Sequence, residues 1–440
     1  MDVEILGRGG FCEVCFRPEA DIILKPMNDP GAAMDTAVSE TGKSLQQDAA
    51  LPVPPNRRVA AIDVLRGVAL FGVLSVNLIT EFRVSLFQQF LPPTMEGSRL
   101  DQMVDAVVSI GMELKAFALF SLLFGIGLAI QFDRLAAKAQ RLSLLVRRLL
   151  VLLGFGILHL CFIWNGDILT EYALVGLIAL PFLYVSNRAL VAMCAVALLF
   201  YAAMPSWIPD SFFGPDEAGL RQYVRVATSV YANGTWSEVV RFNIAEIPRI
   251  VPLHVLVAPR TFALFLLGAF VWRTGLLRNP ERHRRVLIST AMVGLVLGLS
   301  MNLLELPDAG SSWRALAPVV SALTTLGPVV LAIGYGATCV ALYTFTRASC
   351  VLGLLGPLGR MAFSNYLAQS VVFGWIFFGY GLGMFGRLSS SQAMLLGLAV
   401  YVIQVLISLW WLKQFRFGPM EWLWRTLMYG VRQPWRVRRP

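Results

Sequence analysis

The chain consists of continuous apolar runs of about 20 residues separated by short polar connections. A run of that length crosses the roughly 30 Å hydrocarbon core of a bilayer as one helix. The apolar residues do not alternate with polar ones, as the strands of a transmembrane β-barrel would require. The pattern therefore predicts an all-α fold, a polytopic transmembrane helical bundle with about ten spans. The expected spans are residues 61–80, 107–131, 145–164, 168–185, 188–205, 258–274, 286–304, 315–343, 357–378 and 391–412.

The spans suggest a division into two membrane domains with a polar connection between them. Residues 1–56 are polar and rich in Pro, Gly and Ser, and are expected to form a poorly ordered tail. Spans one to five make an N-terminal membrane domain at 57–205, and spans six to ten a C-terminal membrane domain at 258–432. Residues 206–257 are expected to form a loop with short helices over the outer face. Residues 433–440 form a basic tail.

Charge places the loops on opposite sides of the bilayer. The chain is 57% hydrophobic and 15% charged, and its net charge is +10. The loops after spans two and six and the C-terminal tail each hold several Arg or Lys against a single acidic residue, respectively Asp133, Glu281 and Glu421. By the positive-inside rule these segments and both termini are cytoplasmic. The positive charge is explained by topology, so no nucleic-acid partner is expected, and the partner is the lipid bilayer.

One histidine at membrane depth is the first candidate for chemistry. His159 is one of three histidines and lies late in span three, and Asp167 follows after a very short turn. Ionisable residues in spans are costly and mark functional sites. A histidine with a carboxylate is the minimal general base, so His159 and Asp167 are the predicted catalytic pair. In the alternative interpretation, His159 is an interfacial residue that binds a backbone carbonyl.

Other polar residues sort into an outer and an inner group. The outer group comprises candidates for binding the substrate or an oxyanion, and the inner group candidates for binding donor phosphates. The outer residues are Asn77, Lys115, Glu171 and Arg260, and the inner ones are Asp63, Arg66, Arg360, Asn365 and Tyr366. For Asp63 and Arg66, the alternative interpretation is a structural ion pair. For Lys115, the alternative interpretation is pairing with Glu113. Cys12 and Cys15 form a lone CxxC without a second pair or neighbouring histidines, so no metal is expected.

Several motifs resemble the bacterial YeiB-like membrane proteins, a family of unknown function. They are AAIDVLRGVALFGVLSVNL at 60–78, FSLLFGIG at 120–127, GILHLCFIWNGDILTEYALVG at 156–176, GPLGRMAFSNYLAQS at 356–370 and FGPMEWLWRTLMYG at 417–430. The N-terminal half of that family is similar to transmembrane acyltransferases such as heparan-α-glucosaminide acetyltransferase. The resemblance carries over only Arg66, Gly67 and His159.

The resemblance implies a multi-pass protein of the bacterial cytoplasmic membrane that transfers acyl groups. A cytosolic acyl-CoA, acetyl-CoA in the best-known case, would be the donor, and an outer-face hydroxyl or amine the acceptor. The main alternative is a transporter of a small anionic or amphipathic solute, and a third is a structural or regulatory protein without turnover. The sequence leaves the acceptor, the acyl chain and the oligomeric state open, a homo-oligomer included.

The predicted topology is testable with reporter fusions. Fusions after Gly166, Ser311 and Arg387 are expected to report an outer location, and fusions after Lys138 and Pro280 a cytoplasmic one, because the basic loops stay inside. A fusion after Lys138 that reports an outer location would overturn this assignment.

Overall fold

The computed structural model describes residues 59–92, 97–207, 217–304 and 317–437. In this part of the chain all regular structure is helical, apart from one isolated bridge between Phe415 and Arg436. Eight helices among the described residues are long and apolar enough to cross a membrane. The all-α transmembrane bundle is therefore confirmed, whereas the cytoplasmic position of the termini stays a prediction. The predicted N-terminal tail with Cys12 and Cys15 lies outside the described residues.

The helices are numbered in chain order. They are α1 Ala60–Asn77, which continues as a π-helical turn Leu78–Phe82, α2 Arg99–Gly111, α3 Lys115–Arg134, α4 Arg141–Phe162, α5 Leu169–Ala179, which continues as a 3₁₀ turn Leu180–Tyr184, α6 Asn187–Ala203, α7 Glu217–Asn233, α8 Trp236–Arg273, α9 Arg284–Leu303, α10 Ala317–Phe345, α11 Ala362–Phe377, α12 Ser390–Gln414 and α13 Pro419–Tyr429. Between α10 and α11 lie three short turns, Ser349–Leu352, Gly353–Leu355 and Gly356–Arg360.

Two of the ten predicted spans form shorter helices than expected. The segment predicted at 168–185 has an α-helical part of 11 residues, and the one at 357–378 contains the 16-residue α11. At about 1.5 Å per residue, neither α-helical part alone covers the full hydrocarbon thickness. A 3₁₀ turn follows α5, and three short turns precede α11. Gly359 and Arg360, in the last of these turns, line the cavity described below.

The prediction of a loop with short helices at residues 206–257 is wrong for the second half of that segment. α8 begins at Trp236, where Thr235 and Glu238 form a capping box, and runs for 38 residues to Arg273. The prolines at 248, 252 and 259 all lie inside this helix. Packing against α3 and α6 holds the helix together despite the missing backbone donors. Residues 208–216 of the predicted loop lie outside the described residues.

The turns before α11 are wedged against α1. A β-carbon on Gly359 would overlap the carbonyl of Asp63, so the backbones touch there. On the other side of α1, the Tyr401 hydroxyl of α12 donates to the carbonyl of Gly67 over 2.8 Å. These contacts hold the start of α11 beside α1, within the bundle. They leave space next to the start of α11 for the cavity that is described below.

We expect Gly359→Ala to destabilise the protein by about 1–3 kcal/mol, since the added methyl group forces the two backbones apart. The matched control is Gly353→Ala in the same segment, where an added β-carbon has nothing within 4 Å. Thermal unfolding in detergent measures both. Equal melting temperatures for the two variants would contradict the close approach.

Candidate functional site

A buried histidine–carboxylate pair joins the end of α4 to the start of α5. His159 Nδ1 lies 2.9 Å from Asp167 Oδ1, and the side chains are 1% and 0% exposed. The second oxygen of Asp167 accepts a hydrogen bond from the backbone N–H of Thr170 over 2.7 Å and so caps α5. Gly156 permits this geometry, because a side chain there would overlap Thr170. The predicted contact between His159 and Asp167 is therefore present.

The other ring nitrogen of His159 is available for chemistry. Because the carboxylate accepts from Nδ1–H, the neutral tautomer leaves a lone pair on Nε2. Nε2 is buried and has no hydrogen-bond partner among the described residues. The ring lies against Trp164 and Tyr366, with centroids 6.1 and 5.3 Å away. Among the described residues, His159 thus binds a carboxylate through Nδ1 and no hydrogen-bond partner is present at Nε2.

A cavity of about 300 Å³ opens below this pair. Its inner walls include Ile168, Leu169, Tyr172 and Tyr366, so it extends to the ring that contacts His159. At its other end the walls are strongly basic, with only Asp63 and Glu421 as acidic lining residues. The arginines that line the cavity are Arg66, Arg134, Arg148, Arg360, Arg416 and Arg425.

Arg148 is the arginine whose environment most clearly indicates a ligand. Its guanidinium stacks over Trp424 at 4.6 Å, and the Trp424 indole N–H donates to the Arg148 carbonyl over 2.9 Å. Its Nη1 is buried without a hydrogen-bond partner in the described part of the chain. A buried donor without a partner is costly, so an anionic group in the cavity would be strongly bound here. Arg148 was not among the predicted site residues, although it lies within the span expected at 145–164.

The amphipathic helix α13 forms one wall of the cavity. It contributes Glu421, Trp424 and Arg425 to the lining. The Glu421 carboxylate accepts hydrogen bonds from the backbone N–H groups of Phe363 and Ser364, over 2.9 and 3.1 Å, and thereby caps α11. Burial raises the pKa of the Glu421 carboxyl, although these hydrogen bonds partly offset the effect. Glu421 thus anchors α13 to the start of α11.

The predicted inner residues divide between the cavity and the helix contacts around it. Asp63 and Arg66 form an ion pair of 3.2 Å, and both line the cavity with Arg360. Asn365 does not line it, because its amide donates to the Ser408 hydroxyl over 3.0 Å and joins α11 to α12. Tyr366 lies at the opposite end from the arginine cluster, beside His159.

The predicted outer residues are all buried and lie on four different helices, α1, α3, α5 and α8. Asn77 is buried at the end of α1, and the Lys115 ammonium donates to the carbonyl of Ser109 over 3.1 Å. Glu171 is one helical turn beyond Asp167 and accepts from Thr261 Oγ1 over 2.5 Å. Arg260 is 4% exposed.

A second histidine–carboxylate pair was missed by the sequence analysis. His254 Nδ1 lies 2.8 Å from Glu171 Oε2, and its side chain is 30% exposed. The signal was present, because His254 and Thr261 are seven residues apart and share a helix face. It was missed because the span was expected to begin at residue 258.

A second missed feature is a buried polar network on the predicted outer side. Glu246 accepts from Tyr223 over 2.5 Å, from Tyr231 over 2.9 Å and from the Asn165 amide. Tyr231 also donates to Asn243 over 3.0 Å. The network connects α7 and α8 to the turn that carries Asp167. It thus stabilises the histidine–carboxylate pair from the predicted outer side.

Comparison with known proteins places the chain in a family. Residues 271–431 match the model described as "Protein of unknown function (DUF418)". The uncharacterised protein YxaH of Bacillus subtilis (strain 168) is 34% identical over 409 residues, covering 87% of this chain and 97% of the relative. The chain belongs to the YeiB-like DUF418 family.

Two further relatives extend along the same part of the chain. The uncharacterised protein YeiB of Escherichia coli (strain K12) is 28% identical over 400 residues, covering 86% of this chain and 98% of YeiB. An uncharacterised 39.9 kDa protein of Bacillus acidopullulyticus is 28% identical over 395 residues, covering 87% and 97%. No solved structure matches the chain. The predicted family is confirmed, whereas the similarity of its N-terminal half to acyltransferases stays a prediction.

Proposed function

We propose that the protein is a transmembrane acyltransferase of the bacterial cytoplasmic membrane. Its donor is an acyl thioester with a polyanionic head, acetyl-CoA or another acyl-CoA, which enters the cavity from the cytoplasm. Its acceptor is a hydroxyl or amine that approaches from the outer face. The observation that carries the proposal is the single cavity that extends from the arginine cluster to Tyr366, against which the buried pair of His159 and Asp167 is packed.

The charge distribution along the cavity supports this donor. Coenzyme A carries a diphosphate and a further phosphate at one end and the thioester at the other. The arginine end suits the phosphates, because guanidinium groups bind phosphate oxygens in a bidentate manner. The opposite end is lined by Leu152, Ile168 and Leu169 and suits an acyl chain. The ligand would thus place its reactive carbon next to His159.

The proposed reaction needs one base and one hydrogen-bond donor. His159 Nε2 takes the proton of the acceptor as its oxygen or nitrogen attacks the thioester carbonyl. Asp167 stabilises the imidazolium that forms. Collapse of the tetrahedral intermediate breaks the carbon–sulfur bond, and the thiolate takes the proton back from His159. Tyr366 is the hydroxyl best placed to donate to the oxyanion, since its ring is 5.3 Å from the imidazole.

Transport of a small anionic solute is the rival hypothesis. The arginine cluster would serve either function, because it binds an anion in both. Transport gives no role to the unpartnered Nε2 of His159, whereas acyl transfer requires it. The variants below therefore separate the two.

We expect His159→Ala to reduce acyl transfer by roughly 10²–10⁴-fold, because the general base is lost. Asp167→Asn should also reduce it, since the imidazole loses its anionic partner. The assay incubates inside-out vesicles with acetyl-CoA labelled in the acetyl group and separates lipid and water-soluble products. Cys161→Ala on the same helix is the control and should keep full transfer. A labelled product formed equally by His159→Ala would remove His159 from the chemistry, and no protein-dependent product would contradict the acyltransferase proposal.

Binding of the donor is tested separately from turnover. Acetyl-CoA should raise the melting temperature of the purified protein, because it binds only the folded state. Arg148→Gln should weaken that apparent affinity by about 10–100-fold, which corresponds to a lost charge-assisted hydrogen bond. The neighbouring Arg147 is exposed and outside the cavity lining, so Arg147→Gln is the matched control. Equal losses in the two variants would indicate a nonspecific charge effect and would contradict a donor site at Arg148.

A further inference from the structure

Arg260 is a buried cation that the proposed acyl transfer does not use. Its side chain is 4% exposed, and its Nε and Nη1 are buried without hydrogen-bond partners in the described ranges. The neighbouring carboxylate of Glu171 is already engaged, with one oxygen bound by His254 and the other by Thr261. No ion pair joins Arg260 to an acidic side chain in the described part of the chain.

The depth of Arg260 makes an uncompensated charge especially unfavourable. Arg273, at the end of α8, donates to the carbonyl of Val185 over 2.7 Å, so the ends of α8 and α6 lie at one level. Arg260 on α8 and Tyr201 on α6 are each about 20 Å along their helices from that level. They face each other there, with the guanidinium 5.9 Å from the Tyr201 ring. A charge within a span normally meets a counter-charge or a ligand.

The surroundings of Arg260 indicate where such a ligand comes from. Phe200, next to Tyr201, is 48% exposed, and Leu199 is 67% exposed. On α8, Val251 and Val255 are 49% and 58% exposed. These exposed apolar residues lie on the two helices that meet at Arg260, and they suit contact with lipid chains. A molecule that approaches Arg260 between the two helices therefore arrives from the bilayer.

We propose that Arg260 binds the phosphate group of an anionic lipid, which enters between α6 and α8. The guanidinium fork offers two parallel N–H donors to phosphate oxygens. A bidentate contact uses either Nε with Nη2 or Nη1 with Nη2, and Nε and Nη1, one donor of each of these pairs, are unpartnered. The site lies on a different helix pair from the arginine cluster of the cavity, so it does not depend on the proposed acyl transfer.

The test compares three probes on the purified full-length protein in detergent. The probes are phosphatidylglycerol, phosphatidylcholine and inorganic phosphate, and the readouts are native mass spectrometry and the melting temperature. We expect the wild type to retain phosphatidylglycerol in preference to phosphatidylcholine, and Arg260→Gln to reduce that retention at least tenfold. Arg225→Gln, an exposed arginine on α7, is the control and should not change it.

The remaining outcomes are equally decisive. Stabilisation of the wild type by inorganic phosphate, lost in Arg260→Gln, would support the phosphate site and assign it to a soluble ligand. If Arg260→Gln does not fold, Arg260→Lys keeps the charge but loses the fork, and should bind the lipid more weakly than the wild type. Two results would overturn the proposal. In one, the wild type binds neither phosphatidylglycerol nor inorganic phosphate in preference to phosphatidylcholine. In the other, a folded Arg260→Gln variant binds phosphatidylglycerol and inorganic phosphate as the wild type does.

Discussion

The hydrogen bond between His159 and Asp167 is the interaction on which the candidate site depends. It closes the turn between α4 and α5, and the same carboxylate caps α5 through Thr170. Within a bilayer these polar groups have no water to bind, so they must satisfy one another inside the bundle. One carboxylate thereby sets the tautomer of His159, starts the next helix and leaves Nε2 without a partner.

The cavity exists because two helices are short. The turns before α11 pack against α1 through Gly359, so α11 begins inside the bundle and brings Tyr366 to His159. The space beneath is closed by α13, which Glu421 ties to the start of α11. A basic end and an end at which Tyr366 contacts His159 then belong to one cavity. Continuous spans at these positions would fill that cavity with side chains.

The sequence predicted the elements that depend on local pattern. Apolar runs located the long helices, and the short turn between His159 and Asp167 was sufficient to predict their contact. The sequence also placed Arg66 and Arg360 on the same side of the bundle, and both residues line the cavity. These predictions succeeded for the same reason. The residues concerned lie on neighbouring segments of the chain, and the pattern of apolar residues defines the lengths of those segments.

The failures concern residues whose positions depend on distant packing. His254 was missed because the span was expected to begin at residue 258, whereas α8 is continuous from Trp236 and is held by tertiary contacts. Arg148 was not predicted as a site residue, and its place in the cavity follows from stacking on Trp424, 276 residues away. Asn365 is polar for a structural reason, its bond to Ser408, which no pattern within α11 reveals.

The central claim is that one ligand extends from the arginine cluster to His159. A structure determined by electron cryomicroscopy with saturating acetyl-CoA tests it most directly. The account predicts density through the cavity, with the phosphates at Arg148 and the other arginines and the thioester beside Tyr366 and His159. An empty cavity under these conditions, or a donor whose acetyl group points away from His159, would contradict it.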